Sequence, residues 1–258
     1  LALEPHLQRL LNSAKSIGIQ SNLRSNDLRE AIFKLLLNLD FKTDVYIRPT
    51  IYVNDGGYEI DPKKMDVGWY IVAFPIFRLE TPVQTCKSTI SPWKKVSPSM
   101  FPSTAKCGAT YALTRLSHMV ARERKVDEAI LLNDLENVCE TPGASIIILK
   151  NRVAYTPPTS DGVLDGITRK HLLYLLEKYF GFTKFIESIS IKQLMNADEV
   201  FICGTLVGVA QIIECDEQEF KVNGEKSVTN FLLEKYLDEI MYENPDKFFG
   251  IEFFKSSG

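Results

Sequence analysis

The chain has 258 residues, of which 45% are hydrophobic and 24% are charged, with 14 glycines and 12 prolines. This composition is ordinary for a globular protein and argues against a disordered or collagen-like chain, and the length suits one large domain or two average ones. Lys and Arg number 30 against 33 Asp and Glu, which gives a net charge of −3. Because no basic excess is available for a run of phosphates, nucleic acid is disfavoured as the main partner.

The cysteines and histidines show no metal-binding or disulfide pattern. The five cysteines are odd in number and far apart, and each of the three histidines stands alone in a helical pattern. No stretch approaches the roughly 20 apolar residues that span a bilayer, and the first residues lack the order of a signal peptide. We therefore expect no metal site, no membrane partner, and a soluble, cytoplasmic chain with reduced thiols. The residues concerned are Cys86, Cys107, Cys139, Cys203, Cys215, His6, His118 and His171.

The first 74 residues predict two helices followed by two strands. Apolar residues recur at helical spacing in the first two segments, and Asn26 is a candidate N-cap for the second. β-Branched and aromatic residues then dominate two runs that flank a Gly-containing turn. The predicted helices span residues 5–16 and 26–40, and the predicted strands span 45–53 and 68–74. This order describes a small α/β domain over 1–74, and the poorly periodic stretch 75–84 is the candidate linker.

The remaining residues, 85–258, predict a strand-rich second domain with a few covering helices. A strand over 85–90 leads into residues 91–105, whose three prolines and four serines predict an irregular loop. Further strands are predicted over 129–132, 145–149, 153–155, 200–203 and 206–213. Helices are predicted from 113 to the charged ARERK (121–125), over 168–180 and over 227–242. No internal repeat is present.

Two turns have the local chemistry of anion sites. Gly166 in LDGITR (164–169) allows a tight turn before Ile167 and Thr168, which would open a helix with free N–H groups and a hydroxyl. In VFICGTL (200–206) a buried strand runs into Gly204 and Thr205, which again offers a hydroxyl and bare amides. Taken alone, Thr168 is equally an ordinary N-cap, and the second turn is equally a plain connection.

Two charged residues could carry chemistry. Lys106 follows the Pro/Ser-rich loop beside an apolar helix, where partial desolvation would favour its use as an amine nucleophile, although a surface lysine is the simpler interpretation. Glu140 precedes Thr141–Pro142–Gly143 and is either a carboxylate held at a strand end or a solvated turn residue.

These features, in this order, resemble the class IV aminotransferases, which are fold-type IV enzymes that use pyridoxal 5'-phosphate and include the branched-chain amino acid aminotransferases. The similarity runs through almost the whole chain, and the order and spacing of the stretches are more specific than any one of them. The similar stretches are HLQRLLNSAK (6–15), VYIRP (45–49), AFP (73–75), PSTAKCGATY (102–111), ENVCETPGAS (136–145), YTPPTSDGVLDGITR (155–169) and ADEVFICGT (197–205).

The resemblance implies an α+β fold with a small α/β N-terminal domain and a larger, barrel-like domain that binds the cofactor. Lys106 would form the internal aldimine with pyridoxal 5'-phosphate and then carry a proton between the substrate and the cofactor. Glu140 would face the pyridine nitrogen and keep it protonated. The residues matching the remaining cofactor contacts are Tyr111 beside O3′ and, at the phosphate, Arg9, Ile167, Thr168 and Thr205.

The resemblance also implies a substrate. In the VYIRP stretch, Tyr46 would lie near the α-carboxylate and Arg48 near the side-chain carboxylate of glutamate, while the amides of Thr205 and Leu206 would complete the α-carboxylate site. We therefore expect a ping-pong exchange of the amino group between branched-chain L-amino acids and 2-oxoglutarate. The family usually forms homodimers with a shared site, and residues 56–60 correspond to the shared loop, so a homodimer or a higher even oligomer is expected.

Three departures from the family pattern keep alternatives open. Ala109 and Thr110 replace the usual Gly-Asn before Tyr111, and Ile76 followed by Phe77 stands where an aromatic residue often covers the pocket. The chain also starts within the family's first helical region and lacks the strands that usually precede it. The alternatives are a D-amino-acid or amine transaminase, an aminodeoxychorismate-type lyase, and a non-catalytic relative.

Overall fold

A computed structural model describes residues 2–39, 41–58, 61–76, 84–220 and 227–241. The chain divides into two compact units. The N-terminal unit comprises Leu1–Leu79 with Glu239–Gly258, and the central unit is Glu80–Asp238. Most of the predicted linker, residues 75–84, lies outside the described residues.

The N-terminal unit has the predicted order of two helices and a hairpin. Its elements are α1 (Leu3–Ser16), α2 (Ser25–Leu39), β1 (Val45–Asp55) and β2 (Asp66–Pro75), and the two strands pair antiparallel. The prediction of Asn26 as N-cap was wrong, because α2 already begins at Ser25. The Asp27 carboxylate accepts the Arg24 backbone N–H at 3.0 Å and pairs with the Arg24 guanidinium at 2.9 Å, which fixes the helix start one residue earlier.

The hairpin of the N-terminal unit has one face packed on the helices. Ile47 and Ile71 pack against a buried cluster of Leu7, Leu28 and Ile32 from α1 and α2. Because successive side chains in a strand point to opposite faces, Tyr46 and Arg48 share the other face of β1.

The central unit is built on one curled mixed sheet. Its strands are β3 (Gln84–Lys94), β4 (Glu128–Leu132), β5 (Asn137–Val138), β6 (Ser145–Lys150), β7 (Val153–Thr156), β8 (Thr183–Ile186), β9 (Ile189–Ser190), β10 (Glu199–Gly204), β11 (Gly208–Cys215) and β12 (Gln218–Glu219). They lie in the order β8-β7-β6-β10-β11-β3-β4-β5-β9, with β12 on β11. The helices are α3 (Tyr111–Glu123), α4 (Ile167–Phe180), α5 (Ile191–Met195) and α6 (Val228–Met241), which continues past the unit.

The end of β3 differs most from its predicted boundary, while β11 (Gly208–Cys215) begins two residues later than predicted. Residues 91–94 belong to β3 although Pro92 lies among them, and the predicted loop begins only after Lys94. The pairing of β3 with β4 is irregular between Ile90 and Lys94, and a proline is tolerated at such an irregularity because no ladder hydrogen bond is required there.

The main core of the central unit lies on one face of the sheet. It is formed by buried side chains of the central strands with α5 packed against them, and the largest of these include Ile130, Leu132, Ile146, Ile148, Ile202 and Ile212. The continuous apolar runs of β4, β6 and β10 fit strands that are covered on both faces. Among the described residues no helix is long and apolar enough to cross a membrane.

Candidate active site

Lys106 and Tyr111 lie next to each other at the start of α3. Lys106 follows buried Ala105 and precedes a 3-10 turn, Gly108–Thr110, that leads into the helix. Its Nζ is 5.7 Å from the centre of the Tyr111 ring. Both side chains are exposed, so the partial desolvation expected of Lys106 is not found within this unit. An exposed amine beside a phenol is accessible to a small carbonyl compound.

Glu140 is a buried carboxylate with two partners. One of its oxygens pairs with Nζ of Lys95, and the other accepts the backbone N–H of Leu164 at 3.1 Å. Glu140 directly follows buried Cys139 and bridges to Ser145. The structure therefore decides between the two interpretations left open by the sequence, since Glu140 is held in place rather than solvated.

The first anion turn opens α4 with a glycine N-cap. Gly166 provides no side-chain cap, and its carbonyl accepts the N–H of Lys170 at 3.1 Å. Thr168 lies in the first turn and is not the N-cap, so that alternative was wrong. Helix geometry leaves the first N–H groups without intrahelical acceptors. A Cβ on Gly166 would lie 2.7 Å from Ser145 Oγ, so glycine allows the close approach of this turn to Ser145 at the start of β6.

The second anion turn connects β10 to β11. Gly204 pairs with Gly208, and between them Thr205 and Leu206 are exposed. A Cβ on Gly204 would lie 3.4 Å from the carbonyl oxygen of Gly143.

The segment from Glu140 to Ser145, here called the 140–145 loop, joins these features. Gly166 approaches it at Ser145 and Gly204 approaches it at Gly143, while Ser145 pairs with Cys203 across the sheet. On its other side, Thr114 Oγ1 of α3 donates to the Pro142 carbonyl at 3.2 Å. The fold therefore brings Glu140, both anion turns and the helix that carries Tyr111 to one loop.

The predicted site residues of the N-terminal unit lie on two elements. Arg9 is half-buried on α1, where its carbonyl accepts from Ser13 Oγ at 2.7 Å. On β1, the Tyr46 ring is 5.2 Å from the Phe74 ring, and Arg48 is exposed opposite Val72. Ile76 follows β2, whereas Phe77 and part of the predicted shared loop (59–60) lie outside the described residues.

Burial raises the pKa of the thiols near the site. The pKa of Cys139 rises to about 12 because of burial and the neighbouring carboxylates of Glu140 and Asp161. Burial also raises the pKa of Cys203 to about 12, against the opposing charge of Arg169. These thiols stay protonated at neutral pH and act as apolar packing, which agrees with the prediction of reduced cysteines, all five of which are free.

Two residues near the site are not among the predicted site residues. Lys95 lies in the predicted irregular loop, but its backbone N–H donates to the Leu132 carbonyl at 2.7 Å and its Nζ pairs with Glu140. Ser145 is predicted only as the first residue of a strand, and it lies against Gly166. No local pattern marks either residue, because the fold brings their partners to them.

The donor set suits a phosphorylated pyridine cofactor. A dianionic phosphate is matched by the N–H groups and hydroxyls of two glycine turns, a ring N–H is matched by the buried Glu140 carboxylate, and a carbonyl carbon is matched by the exposed Lys106 amine. Among the described residues no group of three or more His, Cys, Asp or Glu could hold a metal ion.

Comparison of the sequence with known proteins identifies the class IV aminotransferase family. A family model for amino-transferase class IV matches residues 1–215. A probable branched-chain-amino-acid aminotransferase of Aquifex aeolicus is 32% identical over 244 residues, a match that covers 93% of this chain and 77% of that protein.

Solved structures of branched-chain aminotransferases resemble the fold of this chain. A branched-chain aminotransferase of the archaeon Thermoproteus uzoniensis with norvaline has a TM-score of 0.85 and 32% identity, over 92% of this chain and 78% of that chain. The branched-chain amino acid aminotransferase of Escherichia coli has a TM-score of 0.86 and 28% identity, over 95% and 81%. A third such enzyme, complexed with N-(5'-phosphopyridoxyl)-L-glutamate, has a TM-score of 0.86 and 25% identity, over 95% and 80%. The predicted α+β fold of fold-type IV is thereby confirmed, and the chain belongs to the class IV aminotransferase family.

Proposed function

We propose that this aminotransferase exchanges the amino group between branched-chain L-amino acids and 2-oxoglutarate, in a ping-pong cycle that uses pyridoxal 5'-phosphate. The observation that supports this most is the convergence of Glu140 and the Gly166 and Gly204 turns on the 140–145 loop. The names of the similar proteins support the substrate class.

Pyridoxal 5'-phosphate, when bound, supplies an electron-withdrawing ring that stabilises negative charge at the substrate α-carbon. Lys106 Nζ would hold the cofactor covalently and would take the proton from the substrate α-carbon. Glu140 holds the proton on the pyridine nitrogen, and its pair with Lys95 fixes the position of the carboxylate. Tyr111 orients the ring through its hydroxyl.

Phosphate binding is assigned to the residues that the family resemblance implies. The N–H groups of Ile167 and Thr168, the hydroxyls of Thr168 and Thr205, and the Arg9 guanidinium would supply the donors. Because the phosphate acceptor is charged, these hydrogen bonds would be charge-assisted and stronger than hydrogen bonds between neutral groups.

Substrate recognition is assigned to the open face of β1 and to the second turn. Tyr46 and the amides of Thr205 and Leu206 bind the α-carboxylate, and Arg48 binds the side-chain carboxylate of glutamate. Arg48 is exposed. Its side chain can therefore pair with the side-chain carboxylate of glutamate in one half-reaction and turn away from an apolar substrate side chain in the other. Ile76 offers apolar surface to a branched side chain.

The deciding experiment is an absorbance spectrum of the purified protein supplied with pyridoxal 5'-phosphate, with and without borohydride. We expect a yellow band that borohydride abolishes and that Lys106→Ala lacks. Lys125→Ala, at an exposed lysine beyond α3, is the matched control. A protein that stays colourless with added cofactor would favour the non-catalytic relative.

Substrate profiling then separates the reactions of this fold. We expect L-leucine, L-isoleucine and L-valine to react with 2-oxoglutarate, and Arg48→Ala to raise KM for 2-oxoglutarate far more than for 2-oxoisocaproate. Activity with D-alanine and none with L-leucine would instead establish the D-amino-acid transaminase. Release of pyruvate from aminodeoxychorismate would establish the lyase.

We further propose a cytoplasmic homodimer or higher even oligomer. Free thiols in all five cysteines suit a reducing compartment, and residues 56–60 correspond to the loop that the family shares between subunits. Sedimentation that shows a fully active monomer would overturn the shared site.

A further inference from the structure

Arg169 is a buried arginine in the first turn of α4, beside the first anion turn. Only 4% of its surface is exposed, and a Cβ on Gly166 would lie 3.3 Å from the Arg169 Cβ. Its Nη1 donates to the Pro157 carbonyl at 2.6 Å, and its Nη2 is 3.5 Å from the Asp165 carboxylate. Its Nε is buried and has no hydrogen-bond partner among the described residues. The guanidinium is therefore held away from water with part of its hydrogen-bonding capacity unused.

The hydrogen bond from Arg169 to Pro157 ties the start of α4 to the sheet. Pro157 directly follows β7. The residue before it, Thr156, is buried and donates its hydroxyl proton to the Ile146 carbonyl of β6 at 2.9 Å. Arg169 therefore holds together the two ends of the connection between β7 and α4, and the first anion turn lies at the end nearer to α4.

The charges at the start of α4 do not balance. A cation is disfavoured at a helix N-terminus, where the helix dipole is positive, and a buried charge requires a partner. The carboxylate that faces Arg169 belongs to Asp165, whose side chain is 40% exposed. Its other oxygen pairs with Lys170 Nζ. One carboxylate thus faces two cations, which leaves excess positive charge beside the first anion turn.

We propose that Arg169 is a positioning residue for the cofactor phosphate. Its hydrogen bond to Pro157 holds the first anion turn against β7, and its buried positive charge is balanced by the phosphate dianion when the cofactor binds. This role rests on the proposed function and adds to it a residue that the family resemblance does not assign to the phosphate. An arginine suits the role because its guanidinium stays charged when buried, whereas a buried lysine loses its proton more readily. The charge acts without direct contact, since salt screens buried charges weakly.

The test compares cofactor binding with and without the phosphate group. Pyridoxal 5'-phosphate and pyridoxal are each titrated into the apoprotein of wild type, Arg169→Met, Arg169→Lys and Asp165→Asn. Arg152→Met is the matched control, because the exposed Arg152 also donates from Nη2 to a backbone carbonyl, that of Phe180 at the other end of α4, at 2.5 Å. Urea unfolding of each apoprotein reports on packing.

We expect Arg169→Met to weaken pyridoxal 5'-phosphate binding by about ten- to a hundredfold, as for a charged hydrogen-bonding group, and to leave pyridoxal binding nearly unchanged. Arg169→Lys should have a smaller effect, because it keeps the charge but loses the fork of donors. Asp165→Asn should act in the opposite direction and tighten pyridoxal 5'-phosphate binding by about two- to fivefold, because it removes the carboxylate that partly neutralises Arg169. The Arg152→Met control changes neither affinity.

Three results would overturn this role. They are an unchanged affinity of Arg169→Met for pyridoxal 5'-phosphate, an equal loss for both cofactor forms, and an Asp165→Asn variant that binds pyridoxal 5'-phosphate no more tightly than the wild type. If Arg169→Met does not fold, Arg169→Lys and Asp165→Asn decide, since their effects must have opposite signs. In each of these cases the wild type still binds the cofactor and transaminates, so the proposed function stands. A wild-type chain that binds neither form overturns the proposed function together with this role.

Discussion

Lys95 and Glu140 form an ion pair that is shielded from solvent, since 14% of the Lys95 side chain and 8% of the Glu140 side chain are exposed. The second Glu140 oxygen accepts the Leu164 N–H, so both carboxylate oxygens have a donor. The segment that supplies this N–H runs directly into Gly166 and α4. The placement of the Glu140 carboxylate and the position of the first anion turn are therefore set by one group of contacts.

Loss of the lysine should destabilise the central unit strongly. Lys95→Met leaves a buried carboxylate without its cation, which costs about 3–5 kcal/mol in the free energy of unfolding of the apoprotein, measured in urea. The double variant Lys95→Met/Glu140→Gln should recover most of this loss. Lys94→Met, which breaks a more exposed pair with Glu136, should cost less than about 1 kcal/mol. Equal losses for the two lysine variants would contradict a special role for Lys95.

The carboxylate itself should matter for turnover more than for cofactor binding. Glu140→Gln keeps a hydrogen-bonding group of the same size but loses the negative charge that would keep the pyridine nitrogen of the cofactor protonated. We therefore expect kcat with L-leucine to fall by roughly 10²- to 10⁴-fold. The yellow absorbance band of the bound cofactor should persist. Glu136→Gln, on an exposed residue nearby, is the control. A variant with wild-type kcat would remove Glu140 from the mechanism.

The helices other than α5, and most strands, could be predicted from the sequence because their signals are local. The helical spacing in α1 and the aromatic and β-branched runs of β1 and β2 need no tertiary information. The two-residue strands β5 and β9 carry no such pattern, since they exist only through pairing with each other and with β4. β8 was missed because a single exposed edge strand has no apolar alternation.

The site residues, too, could be predicted only where their signal is local. Glu140, Thr168 and Thr205 lie in short motifs, so the family resemblance identifies them from local sequence. Lys95 acts through a partner 45 residues away in the chain, and nothing in its own neighbourhood marks it. The resemblance could also not show that Lys106 is exposed, because exposure depends on packing.

A side chain on Gly166 should disturb the first anion turn while Ser145 is present. In Gly166→Ala the new Cβ would lie 2.7 Å from Ser145 Oγ and 3.3 Å from Arg169 Cβ, so the Ser145 hydroxyl must rotate away or the turn must shift. We expect the affinity for pyridoxal 5'-phosphate to fall about tenfold or more, by analogy with overpacking costs of about 1–3 kcal/mol, and pyridoxal binding to change less. Gly166→Ala/Ser145→Ala should recover part of the loss. Gly143→Ala, where a Cβ meets nothing within 4 Å, serves as control.

Cysteine reactivity should distinguish Cys107 from the other four. Cys107 is half-buried, whereas Cys86, Cys139, Cys203 and Cys215 are buried, and the pKa of each of these four rises to about 11 or 12 through burial. A thiol reagent at neutral pH should therefore modify one cysteine per native chain rapidly, and Cys107→Ser should abolish that phase. Five fast thiols in the native protein would contradict the burial of the other four.

Glu128 offers a pH-dependent test of the central unit. Burial raises its pKa, and the charge of His118 and a hydrogen bond from Thr141 oppose this only in part; its Oε2 is buried without a hydrogen-bond partner. The folded chain thus holds the Glu128 proton more tightly than the unfolded chain. Ionisation of Glu128 therefore lowers the free energy of unfolding at pH values above the ordinary carboxyl pKa, and this loss disappears below that pKa. Glu128→Gln should raise the free energy of unfolding by about 1 kcal/mol near pH 7 and change it little near pH 4. Urea unfolding at both pH values checks this, with Glu123→Gln on the exposed end of α3 as control. A stabilisation of equal size at both pH values would mean that packing, and not the buried charge, is responsible.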